Sequence, residues 1–213
     1  MSDSRMEILS RIRSALADVP EVERPEDVAV PRDYRRELEG PHAGRLEERL
    51  RDYSATVGFV RPDEVAAAIL EGCRTLGVSR AVIPPELPSA WRPEGVELVE
   101  DNGLSARELD ELDGVITGCA VAIAETGTLM LDGQGVSGRR AITLIPDHHI
   151  CVVRADQIVG LVPEAFARIA ASAADRGLPI TLISGPSATS DIELSRVEGV
   201  HGPRHLTVLI VED

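Results

Sequence analysis

Residues 114–124 have the sequence GVITGCAVAIA, eleven consecutive residues without a charge. A strand of this composition is typical of a sheet that is buried on both faces, as parallel sheets are. Shorter strand-like runs alternate with amphipathic helical patterns on both sides of it, and this alternation predicts an α/β fold with a mainly parallel sheet covered by helices. The other predicted strands are 80–83, 96–99, 128–131, 141–145, 150–153, 180–183 and 206–211.

Three helices are predicted between these strands. One begins at Pro62 and ends at Gly77, a second is short and covers 106–112, and the third begins at Pro163 and stops at Gly177. The first carries an apolar stripe of Val65, Ile69, Cys73 and Leu76, and the third carries one of Phe166, Ile169, Ala170 and Ala173. These stripes are expected to face the core.

The amino-terminal part of the chain has a different composition. Ile8, Leu9, Ile12 and Leu16 predict a short amphipathic helix, and residues 20–44 are rich in Pro, Glu, Arg and Asp. We therefore predict a helix and linker arm over 1–44 and an α/β domain over 45–213. The helix docks either on its own domain or on a neighbouring chain, which is a second copy in a homo-oligomer or a partner protein. The first 18 residues lack the apolar stretch of a secretion signal, so a cytoplasmic location is expected.

Charge and composition exclude several functions. The 213 residues carry a net charge of −14, and all 22 basic residues are arginines, which excludes a Schiff-base lysine and a Walker lysine. Two Phe, two Tyr and one Trp in an acidic chain are not typical of nucleic-acid binding, and no apolar run reaches the roughly 18 residues of a membrane span.

The three cysteines, Cys73, Cys119 and Cys151, lie far apart and form no C-x-x-C motif. They are expected to be reduced thiols of the core rather than ligands of zinc or of an iron–sulfur cluster. No flavin or nicotinamide fingerprint is credible either, so the sequence predicts no redox cofactor.

Glu125 follows the buried run directly, in the stretch Ala124-Glu125-Thr126-Gly127-Thr128. A carboxylate at the end of a buried strand is a candidate catalytic group, since ligands of open α/β sheets bind beyond the carboxyl ends of strands. Thr126 and Gly127 belong to the same candidate site. Alternatively, Glu125 caps the turn at Gly127 or pairs with an arginine such as Arg139.

Residues 133–138, GQGVSG, match the dinucleotide pattern G-x-G-x-x-G, and Asp156 lies downstream. That pattern must open a helix, whereas a strand is predicted at 141–145, so a dinucleotide site is not expected. Backbone N–H groups of such a loop and adjacent arginines bind anions. The candidate residues are Gly133, Gly135, Arg139 and Arg140, and a plain glycine-rich connection is the alternative.

Asp147-His148-His149 lies between two predicted strands. Neighbouring side chains of an extended backbone face opposite ways, so a metal site is not favoured. We expect one histidine, His148, to be oriented by Asp147 as a general acid or base. His201 and His205 form no zincin-type pair, because Gly202-Pro203 interrupts the helix that would align them.

Small hydroxyl residues follow the strand at 180–183. Ser184, Gly185 and Ser187 are candidate anion donors. Asp191 belongs to the same candidate site, and it or Ser190 is expected to cap a short helix. His201 and Gly202, in a second glycine-containing turn, are further candidates for the anion-binding site. The alternative is that these loops only reverse the chain. No G-x-S-x-G elbow is present, so a serine hydrolase is not expected.

Four motifs together resemble the LUD domain of the lactate utilization protein C family, and the likeness covers residues 45–213. They are Glu125-Thr126-Gly127-Thr128, Pro146-Asp147-His148-His149, the stretch from Ser184-Gly185-Pro186-Ser187 to Asp191-Ile192-Glu193, and Gly199-Val200-His201-Gly202-Pro203. The resemblance implies a Rossmann-like three-layer α/β/α core with a small β-rich insertion, similar to ribose-5-phosphate isomerase, glucosamine-6-phosphate deaminase and coenzyme A transferases.

The resemblance also implies a function. It points to a non-redox subunit of L-lactate oxidation to pyruvate, which binds a small carboxylate or assembles cysteine-rich and iron–sulfur partner subunits. The alternative is a free-standing enzyme acting on a small anionic or CoA-linked substrate. There, Glu125 would be nucleophile or base, since Glu125-Thr126-Gly127 is similar to the Glu-Asn-Gly turn of the transferases with threonine in place of asparagine.

Overall fold

The computed structural model describes residues 3–19, 24, 29–189, 197–199 and 201–212. The chain divides into two compact units, Met1–Tyr34 and Arg35–Asp213. The first contains the predicted amino-terminal helix, α1 (Asp3–Ala15), in which Arg11 and Glu7 form an ion pair one turn apart. In the described part of the chain, no helix has the length and apolar character needed to cross a membrane.

The second unit contains the remaining helices and all the strands. Its helices are α2 (Ala43–Asp52), α3 (Val65–Leu76), α4 (Ala106–Asp110) and α5 (Val162–Arg176). Its strands are β1 (Thr56–Val60), β2 (Arg80–Ile83), β3 (Glu97–Glu100), β4 (Gly114–Gly118), β5 (Val121–Ile123), β6 (Thr128–Leu131), β7 (His148–Arg154), β8 (Ile158–Val159), β9 (Thr181–Ile183), β10 (Ala188–Thr189), β11 (Val197–Glu198) and β12 (His205–Val211).

Six of these strands form a central sheet in the order β1-β12-β7-β4-β2-β3, and every neighbouring pair in it is parallel. A second sheet has the order β8-β5-β6-β9, and β10 pairs with β11. The uncharged run 114–124 is buried as expected, but it supplies a strand to each of the two larger sheets. It breaks after β4, where the carbonyl of Cys119 accepts a hydrogen bond from Gln157 Nε2 at 2.7 Å.

Helices lie on both faces of the central sheet. On one face, Val65, Ile69 and Cys73 of α3 pack with β2, β4, β7 and β12. On the other face, α2 and the second sheet share a core with β1, β7 and β12, and α5 covers the far side of the second sheet. The predicted α/β fold with a mainly parallel sheet flanked by helices is therefore confirmed.

Two details of the prediction are wrong. The segment 141–145 is not a strand: Arg140–Thr143 forms a 3-10 turn whose Ile142 packs with Val82 and Val115, because both edges of β7 are already occupied by β4 and β12. On α5, the buried residues are Ala165 and Ile169, whereas Phe166 is 46% exposed and Ala170 is also exposed. The stripe is narrower than predicted since α5 covers only the small sheet. The side chain of Ala173 lies outside the described part.

Candidate functional site

A cavity of about 250 Å³ lies where two loops meet the second residue of β7. We call it the Ser184 cavity. Its polar lining includes Ser184, Gly185, Ser187, His201 and Gly202, which are five of the residues predicted from the sequence. The rest of its lining is Thr143, Leu144, His149, Thr181, Leu182, Ile183, Pro186, Pro203 and Leu206.

Ser187 joins the two loops of the cavity through three hydrogen bonds. Its N–H donates to the Pro203 carbonyl at 2.8 Å, and its own carbonyl accepts from the Gly199 N–H at 3.0 Å. Its Oγ accepts a hydrogen bond from the His201 N–H at 3.0 Å. One serine therefore holds the 184–187 loop against the 199–203 loop. Ser190 and Asp191 lie outside the described residues.

Gly185 is required by a close approach between this loop and the end of α2. Its φ is +106°, in the region that favours glycine, and a β-carbon there would lie 2.6 Å from Cβ of Tyr53. The 184–187 loop therefore packs closely against Tyr53, the residue that caps the carboxyl end of α2.

A chain of three hydroxyl groups leads from the turn after β5 to the cavity. Thr126 Oγ1 lies 2.7 Å from Thr128 Oγ1, which lies 2.7 Å from Ser184 Oγ. The antiparallel register of β6 and β9 aligns Leu129 with Ile183 and thereby places Thr128 beside Ser184. We call this set, Thr126, Thr128 and Ser184, the hydroxyl relay.

His149 forms a buried wall of the cavity and is 1% exposed. Its Nε2 lies 2.8 Å from Thr117 Oγ1, while its Nδ1 is buried without a hydrogen-bond partner in the described part of the chain. Such an unpaired polar atom costs roughly 1–3 kcal/mol and is a common sign of a ligand or water site.

The three cysteines are buried and free, as expected for core thiols. Burial raises the pKa of the Cys73 thiol to about 11. A hydrogen bond with Cys151 and, in addition, burial raise the pKa of the Cys119 thiol well above its usual value. Cys151 also neighbours His149 and Thr117, so a polar cluster lies directly behind the cavity wall.

The predicted histidine and the histidine of the cavity are different residues. His148 and His149 point to opposite faces of β7, and His148 stacks on His205 with ring centroids 4.9 Å apart. His148 and Asp147 line a separate polar cavity of about 380 Å³. Burial and then the nearby charge of His205 lower the pKa of His148. The period of two along a strand predicts that only one of His148 and His149 lines a given cavity. Nothing in the sequence says which face of the strand that cavity lies on, so His149 could not be chosen.

Glu125 lies on the turn between β5 and β6, outside the cavity lining. Its Oε2 is 2.6 Å from Nη1 of Arg45 on α2, with the two side chains 37% and 44% exposed. The alternative that Glu125 pairs with an arginine therefore describes this structure, but the partner is Arg45 rather than Arg139. Gly127 in the same turn has a φ of +61°, and a β-carbon there would lie 2.7 Å from Cβ of Arg49.

The glycine-rich loop lies apart from the cavity. Val136, between Gly135 and Arg139, packs against Gly118 at the carboxyl end of β4, and Gly133 lies against the Pro179 carbonyl. Arg139 donates two hydrogen bonds to Asp101, at 2.5 and 2.8 Å, and a third to the Leu104 carbonyl. Its guanidinium is therefore already engaged. Arg140 is exposed, and its carbonyl accepts from Thr143 Oγ1 at 3.1 Å.

The architecture defines a class: a parallel α/β domain whose loops, tied to a small second sheet, enclose a cavity lined by hydroxyl groups. Residues 44–211 match the family model of the LUD domain, so the chain belongs to the LUD domain family. The resemblance predicted from the four motifs is confirmed.

Similar proteins and a solved structure agree with this family assignment. The chain is similar to "Lactate utilization protein C" of Deinococcus radiodurans, with 46% identity over 213 residues that cover 99% of this chain and 96% of that protein. It is 29% identical to the uncharacterized protein YkgG of Escherichia coli over 70% of each chain. A crystal structure of a DUF162 family protein from Deinococcus radiodurans is 41% identical, with a TM-score of 0.69 over 79% of this chain and 95% of that chain.

Proposed function

We propose that this protein is a non-redox subunit of an L-lactate oxidation system and that the Ser184 cavity binds a small carboxylate such as lactate or pyruvate. The name of the Deinococcus relative, which aligns over nearly the whole chain, supports a role in lactate utilization. The observation that carries the site is the convergence of Ser184, Ser187 and His201 around one cavity. The cavity is backed by His149, whose Nδ1 has no hydrogen-bond partner among the described residues.

The chemistry of the lining favours a small monoanion. Hydroxyl and backbone N–H groups donate to a carboxylate, and the apolar residues Leu144, Leu182 and Leu206 suit a short aliphatic group. Within the described residues the lining contains no arginine, and a phosphate dianion would lack the cation that usually pairs with it. A carboxylate carries one negative charge fewer than this dianion and so needs less positive charge in the lining.

The alternative enzyme of transferase type receives less support from the geometry. Its proposed nucleophile, Glu125, is held by Arg45 and does not line the cavity. We therefore favour binding and assembly over covalent catalysis. The partner proteins that we propose are the cysteine-rich and iron–sulfur subunits, and pull-down of both by the full-length chain tests this part.

Calorimetry with L-lactate and pyruvate tests the binding site. We expect Ser187→Ala to weaken binding about three- to tenfold, since the variant loses the hydroxyl that holds His201 and a hydrogen bond contributes about 1 kcal/mol. Ser89→Ala, which changes an exposed serine outside the cavity, is the matched control. Absence of saturable binding of either acid would contradict the site.

A growth assay tests the role in the cell. A strain that lacks the gene should lose growth on L-lactate as sole carbon source, and the wild-type gene should restore it. Turnover of lactate by the purified chain without partners would instead favour the free-standing enzyme, whereas turnover only after reconstitution supports the subunit.

A further inference from the structure

The hydroxyl relay contains three oxygens in series and connects a half-buried turn to the cavity. Its central member, Thr128, is 5% exposed and contacts a hydroxyl on either side. Of the outer members, Thr126 is half-buried and Ser184 is exposed, and only Ser184 lines the cavity. The relay therefore has one end at the site and its middle in the core.

Proton counting restricts how such a chain can be arranged. A hydroxyl group has one proton and two lone pairs, so Thr128 can donate to only one of its two neighbours. If Thr126 donates to Thr128 and Thr128 donates to Ser184, the proton of Ser184 is free to point into the cavity. In the opposite direction, Ser184 donates to Thr128 and presents only lone pairs to a ligand.

We propose that Thr128 is a positioning residue that makes Ser184 the hydroxyl donor to the carboxylate of the ligand, with the relay running from Thr126 to the cavity. This inference rests on the proposed carboxylate site. An anion at Ser184 favours the outward direction, because each hydroxyl that accepts a hydrogen bond becomes a better donor. Thr128 also fixes the position of Ser184 Oγ, so the donor is in place before the ligand arrives.

Thr128→Val tests the relay, because it keeps the shape of the side chain and removes the hydroxyl. We expect the dissociation constant of the bound anion to rise about three- to tenfold in full-length protein, and Thr128→Ser to restore the wild-type value to within about twofold. Thr207→Val, at another buried threonine of the second unit outside the relay, is the matched control and should leave affinity unchanged.

A double-mutant cycle separates positioning from general damage to the fold. Ser184→Ala should weaken binding at least as much as Thr128→Val, and adding Thr128→Val to Ser184→Ala should weaken it no further, since Thr128 acts only through Ser184. Additive losses, or an unchanged affinity in Thr128→Val, would overturn the proposal. Should Thr128→Val fail to fold, the same cycle is measured with Thr126→Val, whose side chain is partly exposed.

The probes are formate, acetate, L-lactate, pyruvate and inorganic phosphate, each titrated separately. If acetate or formate binds and responds to the relay variants while lactate does not bind, the proposed function fails and the relay stands. If lactate binds with equal affinity to wild type and Thr128→Val, the relay fails and the function stands. If no anion binds to the wild type, both are overturned.

Discussion

Gly127, in the turn after β5, should be sensitive to substitution by alanine for two separate reasons. Its φ of +61° costs a residue with a β-carbon about 1–2 kcal/mol. In addition, a β-carbon would lie 2.7 Å from Cβ and 3.0 Å from the carbonyl carbon of Arg49, so α2 would have to move away. Overpacking of this kind costs about 1–3 kcal/mol. Gly127→Ala should therefore lower the free energy of unfolding by about 2–5 kcal/mol.

Gly77→Ala is a control that isolates the contact with α2. Gly77 ends α3 with a similar φ of +71°, but a β-carbon there would meet no atom within 4 Å. It should lose only the conformational part, about 1–2 kcal/mol. For a chain of this size, the difference corresponds to a Tm about 2–12 °C lower for Gly127→Ala than for Gly77→Ala, measured by circular dichroism.

The same pair of variants has a functional consequence. Movement of α2 would carry Tyr53 away from Gly185, so Gly127→Ala should also weaken anion binding in the Ser184 cavity, and Gly77→Ala should not. Equal losses of Tm in the two variants would refute the close contact between the turn and α2. A stable Gly127→Ala protein with normal affinity would refute the link from α2 to the cavity.

Glu125→Gln should lower Tm by less than about 4 °C, since its pair with Arg45 is more than a third exposed and contributes at most about 1 kcal/mol. Growth on L-lactate should be retained, because Glu125 does not line the Ser184 cavity, and a loss of growth at normal Tm would favour the alternative enzyme. Burial alone raises the pKa of Asp101, but hydrogen bonds from Arg139 and two backbone N–H groups hold that pKa below its usual value. Arg139→Ala should therefore lose stability at pH 7, and the loss should shrink as urea unfolding is measured below pH 4; a constant loss contradicts this. Deletion of residues 1–40 should leave a folded domain but reduce its mass by light scattering or its capture of the iron–sulfur subunit; unchanged assembly with lower stability contradicts this.

Sequence patterns predict the fold well where burial alone decides the structure. The run 114–124 and the stripe on α3 give strands and a helix because their apolar residues have few alternatives. The segment 141–145 has a similar composition, yet it is a 3-10 turn, since its structure depends on whether an edge of β7 is vacant. Which strand edges are free depends on how the whole chain pairs, so the local pattern of apolar residues cannot predict it.

The candidate site divides in the same way. Ser184, Ser187 and His201 could be predicted because hydroxyl groups and glycines cluster in their loops. His149 and Thr128 were missed as site residues, since both belong to strands and look like ordinary sheet residues. Arg139 shows the opposite error: its charge suggests a ligand, but Asp101, 38 residues earlier, already occupies its guanidinium.

The topology explains why segments so far apart in sequence meet at one cavity. The pairing of β6 with β9 places Thr128 beside Ser184, 56 residues later, and the parallel pairing of β7 with β12 aligns His149 with Leu206. Ser187 then ties the loop after β9 to the loop before β12. Each of these links uses a neutral hydrogen bond or a backbone register and none uses an ion pair. The cavity is therefore held together by contacts that do not depend on the charge of an acidic or basic side chain.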